Sequence, residues 1–347
     1  MDMILRTIPT DDPYAQAQMD QLLEAEGICR DGNLDYSCGL FDEDDALVAT
    51  GSCFGNTLRC LAVSSFRQGE GLLNQIVSHL MEVQMQRGNS HLFLYTKCKN
   101  VRFFSDLGFY EIARVDGTTA FMENRRDGFR RYCEALEKTC VSGPQAASIV
   151  MNANPFTLGH RYLVERAAAE HHIVHLFLLS EEAGPIPFAV RRKLVQDGIS
   201  DLPNVLLHES GPYMISSATF PSYFFKDGDD AIRTQAALDV TVFSKIAAHL
   251  GIRHRYVGEE KSSHVTALYN ETLVKRLPGM GVECHVIPRL EAEGCAVSAS
   301  TVRKAIHDGA LERIRPLVPD STYRYFCSSE AEPVRAAIRS VNNVIHY

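Results

Sequence analysis

Three features that often settle the class of a protein are absent from this sequence: CxxC cysteine pairs, a long apolar run and an excess of positive charge. The ten cysteines are scattered from Cys29 to Cys327, which argues against a zinc ribbon or a dense disulfide framework and predicts reduced thiols. Because neither a long apolar segment nor a secretory leader pattern is found, we expect a cytoplasmic protein that is neither secreted nor membrane-spanning. The net charge of −8 disfavours nucleic acid as a partner, since phosphate neutralisation requires clustered Lys and Arg.

The chain is long enough for two domains. It has 347 residues, 45% of them hydrophobic, so each half can bury a core of its own. Residues 125–140 carry charges and apolar residues at helical spacing, and residues 141–145 then interrupt regular structure. We therefore predict a first domain over 1–125, a helical linker over 126–144 and a second domain over 145–347. The second domain is predicted to end in helices, one of them over 302–318.

The second domain begins with a strand, a tight turn and a helix. An apolar strand over 148–151 is stopped by Asn and Pro, and a helix follows from about Gly159. Gly159 permits a close backbone approach, and His160 lies in the first helical turn, where free N–H groups and the positive dipole end face an anion. This pattern fits a phosphate site, while spacing alone also fits an ordinary strand-to-helix connection.

A second anion-binding pattern occurs far downstream, over 297–303. The sequence Val-Ser-Ala-Ser-Thr-Val-Arg places hydroxyls and an arginine at the start of another predicted helix. Helix N–H groups, hydroxyls and a forked guanidinium are the groups that bind phosphate in proteins. Two such patterns in one domain favour a triphosphate ligand.

These two patterns resemble the motifs of the nucleotidyltransferase superfamily. Residues 157–160 are similar to its (H/T)xGH motif and residues 297–303 to its ISSTxxR motif. Residues 187–194 and 256–260 resemble two further elements of that fold, in the expected order. The resemblance implies an α/β fold class in which the second domain is Rossmann-like with a parallel sheet, and it implies ATP with Mg²⁺ as ligands.

A closer resemblance is to the citrate lyase ligase family. It is found in residues 154–160, 217–224 and 298–303, which follow an acetyltransferase-like first half. The resemblance implies an acid–thiol ligase that acetylates the prosthetic-group thiol of the citrate lyase acyl carrier subunit. Acetate and ATP would form acetyl-adenylate, and AMP and pyrophosphate would be released. The prosthetic group of that carrier is a dephospho-CoA derivative.

The resemblance also implies roles for individual residues. Thr157, His160 and Arg303 would be catalytic, with His160 stabilising charge as pyrophosphate leaves. A protein base is not required, because acetate is already ionised at neutral pH and the enzyme has to supply alignment and charge stabilisation. The residues expected to bind ATP are Asn154, Phe156, Gly159, Gly258, Glu259, Ser298, Ser300 and Thr301.

The first half resembles the GNAT acetyltransferases. Strands are predicted over 45–53 and 57–63, followed by a glycine-containing loop and a helix ending near Gln86. The loop residues Gln68, Gly69 and Gly71 resemble the pyrophosphate loop of that fold, although Leu73 stands where the motif has a small residue. We expect this loop to hold the pantetheine-type arm of the carrier rather than acetyl-CoA.

Three further features have two interpretations each. His171, His172 and His175 resemble a metal cluster, but their side chains should point in different directions, so no metal is predicted and His171 is interpreted as a cation capping a helix C-terminus. Residues 216–219 fit either an acetate pocket or a plain loop. Lys226 fits either a phosphate contact or a surface lysine.

Other functions share part of this pattern. A tRNA-cytidine acetate ligase would also adenylate acetate, but it requires a basic face that the acidic composition disfavours. An adenylyltransferase acting on phosphopantetheine or nicotinamide mononucleotide would use the same phosphate motifs without the GNAT-like half. A noncatalytic scaffold that binds the carrier would not need two phosphate motifs.

Overall fold

The computed structural model describes residues 3–139, 145–182, 184–215, 220, 228–260, 263–292 and 295–341. The chain divides into two compact units, Met1–Arg131 with Thr219–Thr241 and Tyr132–Ala218 with Val242–Tyr347. We call them the front unit and the rear unit. The division assigns residues 219–241 to the front unit, whereas the sequence-based boundaries keep them in the second domain. Those boundaries stay a prediction.

The front unit is built on one mixed sheet with helices on both faces. Its strands are β1 Ile4–Thr7, β2 Tyr36–Phe41, β3 Leu47–Phe54, β4 Thr57–Val63, β5 Phe93–Lys97, β6 Tyr110–Val115 and β7 Thr119–Glu123. Its helices are α1 Pro13–Ala25, α2 Leu72–Gln86 and α3 Val101–Asp106. The strand order is β1-β2-β3-β4-β5-β7-β6, and neighbouring strands are antiparallel except β4 and β5.

Two packing details position the loop that precedes α2. A Cβ on Gly51 of β3 would lie 2.5 Å from Ile76 of α2, so only glycine lets this helix sit so close to the sheet. The parallel strands β4 and β5 share a register only at their starts, Thr57 with Phe93 and Leu58 with Leu94. The two strands therefore part toward their carboxyl ends, where the loop leaves β4.

The remaining elements belong wholly or partly to the rear unit. They are α4 Gly128–Lys138, β8 Ala146–Met151, α5 Leu158–Glu170, β9 Val174–Leu178, α6 Phe188–Gly198, β10 Val205–Glu209, α7 Gly228–Leu250, β11 Ile252–Gly258, α8 His264–Arg276, β12 Glu283–Ile287, β13 Glu291–Ala292, β14 Cys295–Ala296, α9 Ala299–His307, α10 Asp320–Cys327 and α11 Glu332–Ser340. Five strands form a parallel sheet in the order β10-β9-β8-β11-β12. Within the described ranges, no helix combines the length and apolar character needed to cross a bilayer.

The predicted fold class is confirmed: a mixed α/β front unit is followed by a Rossmann-like rear unit with a parallel sheet. The helical segment of the linker, the strand before the first motif and the helix after it are present as α4, β8 and α5, and residues 140–144 of the linker lie outside the described residues. The helix predicted over 302–318 is only partly correct, because residues 302–307 belong to α9 but the α-helix does not continue to 318. The chain leaves the helix at His307 because Gly309 adopts a left-handed φ of 74°, and a 3-10 helix follows over Leu311–Leu317.

Candidate functional site

The candidate site lies at the carboxyl edge of the rear sheet. Strands β8 and β11 are neighbours at its centre, and the chain continues from β8 to β9 on one side and from β11 to β12 on the other. At such a switch point the two connections run in opposite directions, so a crevice opens above the strand ends. The loop after β8 and Gly258 at the end of β11 both lie beside it.

Thr157 and His160 cap the N-terminus of α5 reciprocally. The Thr157 hydroxyl accepts a hydrogen bond from the His160 backbone N–H at 3.3 Å. In return, the Thr157 backbone N–H donates to Nδ1 of His160 at 3.1 Å. Because Nδ1 is the acceptor, the proton of the neutral imidazole resides on Nε2. The capping box thus fixes the tautomer and leaves the Nε2–H as the donor that His160 offers to a ligand.

The His160 imidazole is neutral near pH 7. Burial, and secondly the positive charge of Arg289, lower the pKa of His160 to about 4. Phe156 is fully buried and stacks on the imidazole with ring centroids 5.9 Å apart. A Cβ on Gly198 would come within 2.6 Å of the Phe156 ring, so this side chain is enclosed by the core. Phe156 therefore contacts His160, the catalytic candidate, and supports its ring from within the core.

The second motif caps α9. Ser298 is its N-cap residue, and the Ser298 hydroxyl accepts a hydrogen bond from the Thr301 backbone N–H at 3.1 Å. The hydroxyl oxygens of Ser298 and Thr301 lie 2.8 Å apart. Arg303 is buried, and its Nη2 donates to the Ser300 hydroxyl at 3.4 Å. The hydroxyls and the guanidinium predicted for phosphate binding are thus gathered on the first turns of one helix.

The fold brings the two motifs together. Arg303 Nη1 donates to the carbonyl of Asn154 at 2.5 Å, a contact between residues 149 positions apart in the sequence. A Cβ on Gly159 would lie 3.1 Å from the carbonyl oxygen of Val297, so glycine permits this close approach of the first turn of α5. The N-termini of α5 and α9 therefore meet beside the switch point, at one edge of the sheet.

Gly258 and Glu259 are fixed at the end of β11 by their backbone groups. The Glu259 N–H donates to the Ile287 carbonyl at 2.8 Å, which continues the pairing with β12. The Gly258 carbonyl accepts from the Asn270 side chain at 2.9 Å. A Cβ on Gly258 would meet no atom of the described residues within 4 Å.

Sequence reasoning missed Arg289, which follows β12 at the same edge. Its guanidinium forms an ion pair with Glu260 and donates through Nε to the Glu259 carbonyl at 3.0 Å. Its charge acts on His160, as the lowered pKa of that residue indicates. The sequence did contain one indication of this residue, because Arg289 stands two positions after the end of β12, a strand of the parallel sheet.

Arg191 was also missed as a positioning residue, although it lies in one of the segments that resemble the nucleotidyltransferase fold. It is completely buried, and Nη1 donates to the carbonyls of Asn152 at 2.8 Å and Leu179 at 3.0 Å. The same guanidinium also donates to the Glu181 carbonyl. These bonds tie together the chain segments that leave β8 and β9, so Arg191 shapes the loop that carries Thr157.

The loop of the front unit has the backbone that its glycines predict. Gly71 is the N-cap residue of α2 with φ of 75°, and Gly69 has φ of 90°. Both values lie in the left-handed region, which glycine adopts without steric cost. A Cβ on either residue would meet no atom of the described part of the chain within 4 Å, and Gln68 is exposed.

The structure corrects the interpretation of His171. Its backbone caps the C-terminus of α5, but burial and the neighbouring His254 lower the pKa of His171, so its ring is not the predicted cation. As predicted, His171 and His175 point in different directions. His171 packs on His254, whereas His175 is buried beside His208, with His175 Nδ1 3.0 Å from His208 Nε2. Residues 216–219 and Lys226, which have two interpretations in the sequence, lie outside the described residues.

Fold and site geometry together define a Rossmann-like domain in which two capped helix N-termini meet at the switch point of a parallel sheet, and known proteins were compared with it. Residues 146–326 match the family of citrate lyase ligase C-terminal domains. A curated [citrate [pro-3S]-lyase] ligase of Escherichia coli K12 is 37% identical over 81% of this chain and 82% of its own length. The curated [citrate [pro-3S]-lyase] ligase of Klebsiella pneumoniae is 35% identical over 94% of this chain and 96% of its own length.

Solved structures align with parts of the chain. A GNAT-family acetyltransferase of Staphylococcus aureus aligns with 35% of this chain and 98% of its own, at 11% identity and a TM-score of 0.31. A candidate nicotinate-nucleotide adenylyltransferase of Vibrio parahaemolyticus aligns with 57% of this chain and 98% of its own, at 16% identity and a TM-score of 0.34. On the strength of the matched domain and the full-length relatives, the chain belongs to the citrate lyase ligase family and is an enzyme.

Proposed function

We propose that this enzyme uses ATP and acetate to acetylate the prosthetic-group thiol of the citrate lyase acyl carrier subunit, and thereby activates citrate lyase. The observation that carries the proposal is the meeting of the α5 and α9 N-termini, joined by the bond from Arg303 to Asn154. Two helix N-termini, hydroxyls, a guanidinium and the neutral His160 donor suit a polyphosphate. The names of the relatives supply citrate lyase as the target.

The first half-reaction requires alignment and charge stabilisation. A carboxylate oxygen of acetate would attack the α-phosphorus of ATP, the bond to the bridging oxygen would break, and pyrophosphate would leave. Acetate is ionised near pH 7, so no protein base is needed. The Nε2–H of His160 would donate to the phosphate oxygens on which charge accumulates, while Ser298, Ser300, Thr301 and Arg303 hold the β- and γ-phosphates.

Mg²⁺ would enter with ATP as part of the substrate. It prefers oxygen ligands and commonly takes them from phosphates and water, so a dedicated set of carboxylates is not required. Asn154 and Gly159 would line the triphosphate path. Gly258 and Glu259, at the end of β11, would border the nucleoside. Arg289 would add a cation beside His160, a role that the sequence did not suggest.

The second half-reaction transfers the acetyl group to sulfur. The carrier thiol releases its proton to water and attacks the acetyl carbonyl, a thioester bond forms, the bond from the acetyl carbon to the phosphate oxygen breaks, and AMP leaves. We assign the arm that carries this thiol to the loop Gln68, Gly69 and Gly71 of the front unit. The parting of β4 and β5 beside this loop supports the assignment, because the edges of separating strands offer backbone groups to an extended, amide-containing arm.

The reaction class is tested by ATP–pyrophosphate exchange with acetate, propionate, citrate or no acid. We expect exchange that requires both Mg²⁺ and acetate, with AMP rather than ADP as the product of the complete reaction. Stoichiometric ADP would place the attack at the γ-phosphorus and contradict the adenylate mechanism. Acid-independent transfer of AMP to phosphopantetheine or nicotinamide mononucleotide would identify an adenylyltransferase, and acetylation of tRNA would identify a tRNA-cytidine acetate ligase.

The arm assignment predicts a separation of the two half-reactions in Gly71→Glu. A carboxylate in the loop would repel the phosphates of the arm, so acetyl transfer to the carrier should fall at least about tenfold while acetate-dependent exchange is preserved. Both rates are measured on the same preparation. Because Gly71 has a positive φ, Gln68→Glu provides the same charge without backbone strain and should act in the same direction.

Gly117→Glu is the matched control for strain. Gly117 has φ of 72°, and a Cβ added there would meet no described atom within 4 Å, as at Gly71, but Gly117 lies in the turn between β6 and β7. This variant should leave both half-reactions near the wild-type rates. Wild-type transfer kinetics in folded Gly71→Glu and Gln68→Glu would remove the loop from the arm site.

A further inference from the structure

A cluster of histidines lies at the amino-terminal edge of the rear sheet, opposite the candidate nucleotide site. His254 is near the start of β11, and Glu283 and His285 are in the first half of β12. The parallel register places His254 beside Glu283 and Tyr256 beside His285. Since strand residues two apart share a face, Glu283 and His285 project to the same side as His254.

The three potential ligand atoms are spaced like the corners of a coordination site. His254 Nδ1 lies 3.0 Å from His285 Nε2. Glu283 Oε2 lies 3.6 Å from His254 Nδ1 and 3.9 Å from His285 Nε2. Zinc bonds of about 2.0–2.1 Å in a tetrahedron separate neighbouring ligand atoms by roughly 3.3–3.5 Å. Small side-chain adjustments would therefore bring all three atoms onto one ion.

A metal ion can bind all three ligand atoms, whereas a shared proton can bind only two of them. One shared proton can join only the two imidazole nitrogens, because the carboxylate oxygen lies beyond ordinary hydrogen-bond distance from both. A divalent cation would engage all three lone pairs at once. Among the described residues, this is the one group of three His, Cys, Asp or Glu side chains whose ligand atoms lie within 4.8 Å of one another.

Neighbouring side chains hold the rings in place. Tyr256 stacks on His285 with ring centroids 4.6 Å apart, and its hydroxyl donates to Glu170 at 2.6 Å. His171 packs on the His254 ring at 4.5 Å while its Nε2 lies 2.9 Å from the Tyr256 hydroxyl. These ring contacts restrict the orientation of the His254 and His285 imidazoles.

We infer that His254, Glu283 and His285 form a binding site for Zn²⁺ or a similar divalent transition-metal ion that bridges β11 and β12. Two imidazoles with one carboxylate favour such an ion over Mg²⁺ or Ca²⁺, which prefer oxygen ligands. The remaining coordination positions would face a neighbouring cavity of about 610 Å³, to which His254 and Glu283 contribute. Its other lining residues are Gln145, Gly251, Arg253, Pro278, Gly281 and Val282.

The inference is tested on the full chain without a histidine tag, after dialysis against a chelator. Calorimetric titration should give one Zn²⁺ site per chain and no comparable Mg²⁺ site. Affinity should fall at least about a hundredfold in His285→Gln and in Glu283→Gln. Zn²⁺ should also raise the midpoint of thermal unfolding of the wild type and not of these variants. These readouts need no turnover, so they are independent of the proposed function.

Cysteine ligation is the main competing outcome, since the chain has ten cysteines. Substitution with Co²⁺ distinguishes the two, because a His₂Glu site lacks the thiolate-to-cobalt charge-transfer absorption of a cysteine site. His172→Gln is the matched control: His172 is exposed and outside the cluster, and its replacement should leave binding unchanged. Thiolate absorption, undiminished affinity in both cluster variants, or the absence of Zn²⁺ binding would each overturn the inference.

Discussion

Replacing His160 with alanine should lower acetate-dependent ATP–pyrophosphate exchange at least about a hundredfold, the scale of losing one preorganised charge-stabilising group. The imidazole is neutral, and its Nδ1 is already engaged by the Thr157 backbone, so the variant removes the Nε2–H donor. It also removes part of a helix cap, which costs about 1 kcal/mol of stability. Exchange is measured at saturating ATP and acetate, beside thermal unfolding of the same sample.

His160→Gln is the informative companion variant, because a glutamine three residues after Thr157 can rebuild the capping box through its amide oxygen while its amide nitrogen offers a donor in place of Nε2–H. We expect it to recover the stability and part of the activity. Burial keeps the pKa of His160 near 4, so the wild-type rate should not rise or fall through titration of this residue between pH 6 and 8. Near-normal exchange in a folded His160→Ala would remove His160 from the reacting centre.

Replacing Arg303 with alanine should also reduce pyrophosphate release at least about a hundredfold. Arg303 is buried at the junction of the two motifs and donates to the carbonyl of Asn154. The variant therefore removes both a cation and the bond that positions the loop between β8 and α5. A buried carbonyl that loses its partner costs about 1–3 kcal/mol, and thermal unfolding should register that loss. The measurement is ATP–pyrophosphate exchange as a function of ATP concentration.

Arg303→Lys separates the charge from the forked geometry. Lysine retains the positive charge but cannot contact Asn154 and a phosphate with two parallel donors, so we expect intermediate activity with a raised KM for ATP. Arg313→Ala is the control, since Arg313 is exposed in the same unit and should leave exchange unchanged. If folded Arg303→Ala releases pyrophosphate at the wild-type rate, the ATP site does not include the second motif.

Much of the local structure could be predicted because it depends on neighbours in sequence. Thr157 and Ser298 begin helices because their hydroxyls accept from N–H groups three residues on, and this pattern is visible in the sequence. Glycines at 69 and 71 imply the left-handed turns before α2. The error over 302–318 arose at Gly309, where apolar spacing continued through a residue that ends the helix.

Contacts between distant segments could not be predicted in this way. Phe156 belongs to a motif that resembles a nucleotide site, yet its burial follows from the approach of Gly198 in another helix. Arg289 affects His160 although the residues are far apart in the sequence. The histidine cluster was missed for the same reason: the adjacent His171 and His175 suggested a site, whereas the atoms that converge come from two paired strands.

The sequence by itself determined the α/β class of the rear half and the helix starts at Thr157 and Ser298, because turns, caps and apolar periodicity are short-range properties. Only the tertiary structure decided that these helix starts meet, that His160 is neutral, and that Arg289 stands beside it. Such facts depend on strand order and on burial. Strand order brings the ends of β8 and β11 together, and burial shifts a pKa by an amount that no stretch of sequence encodes alone.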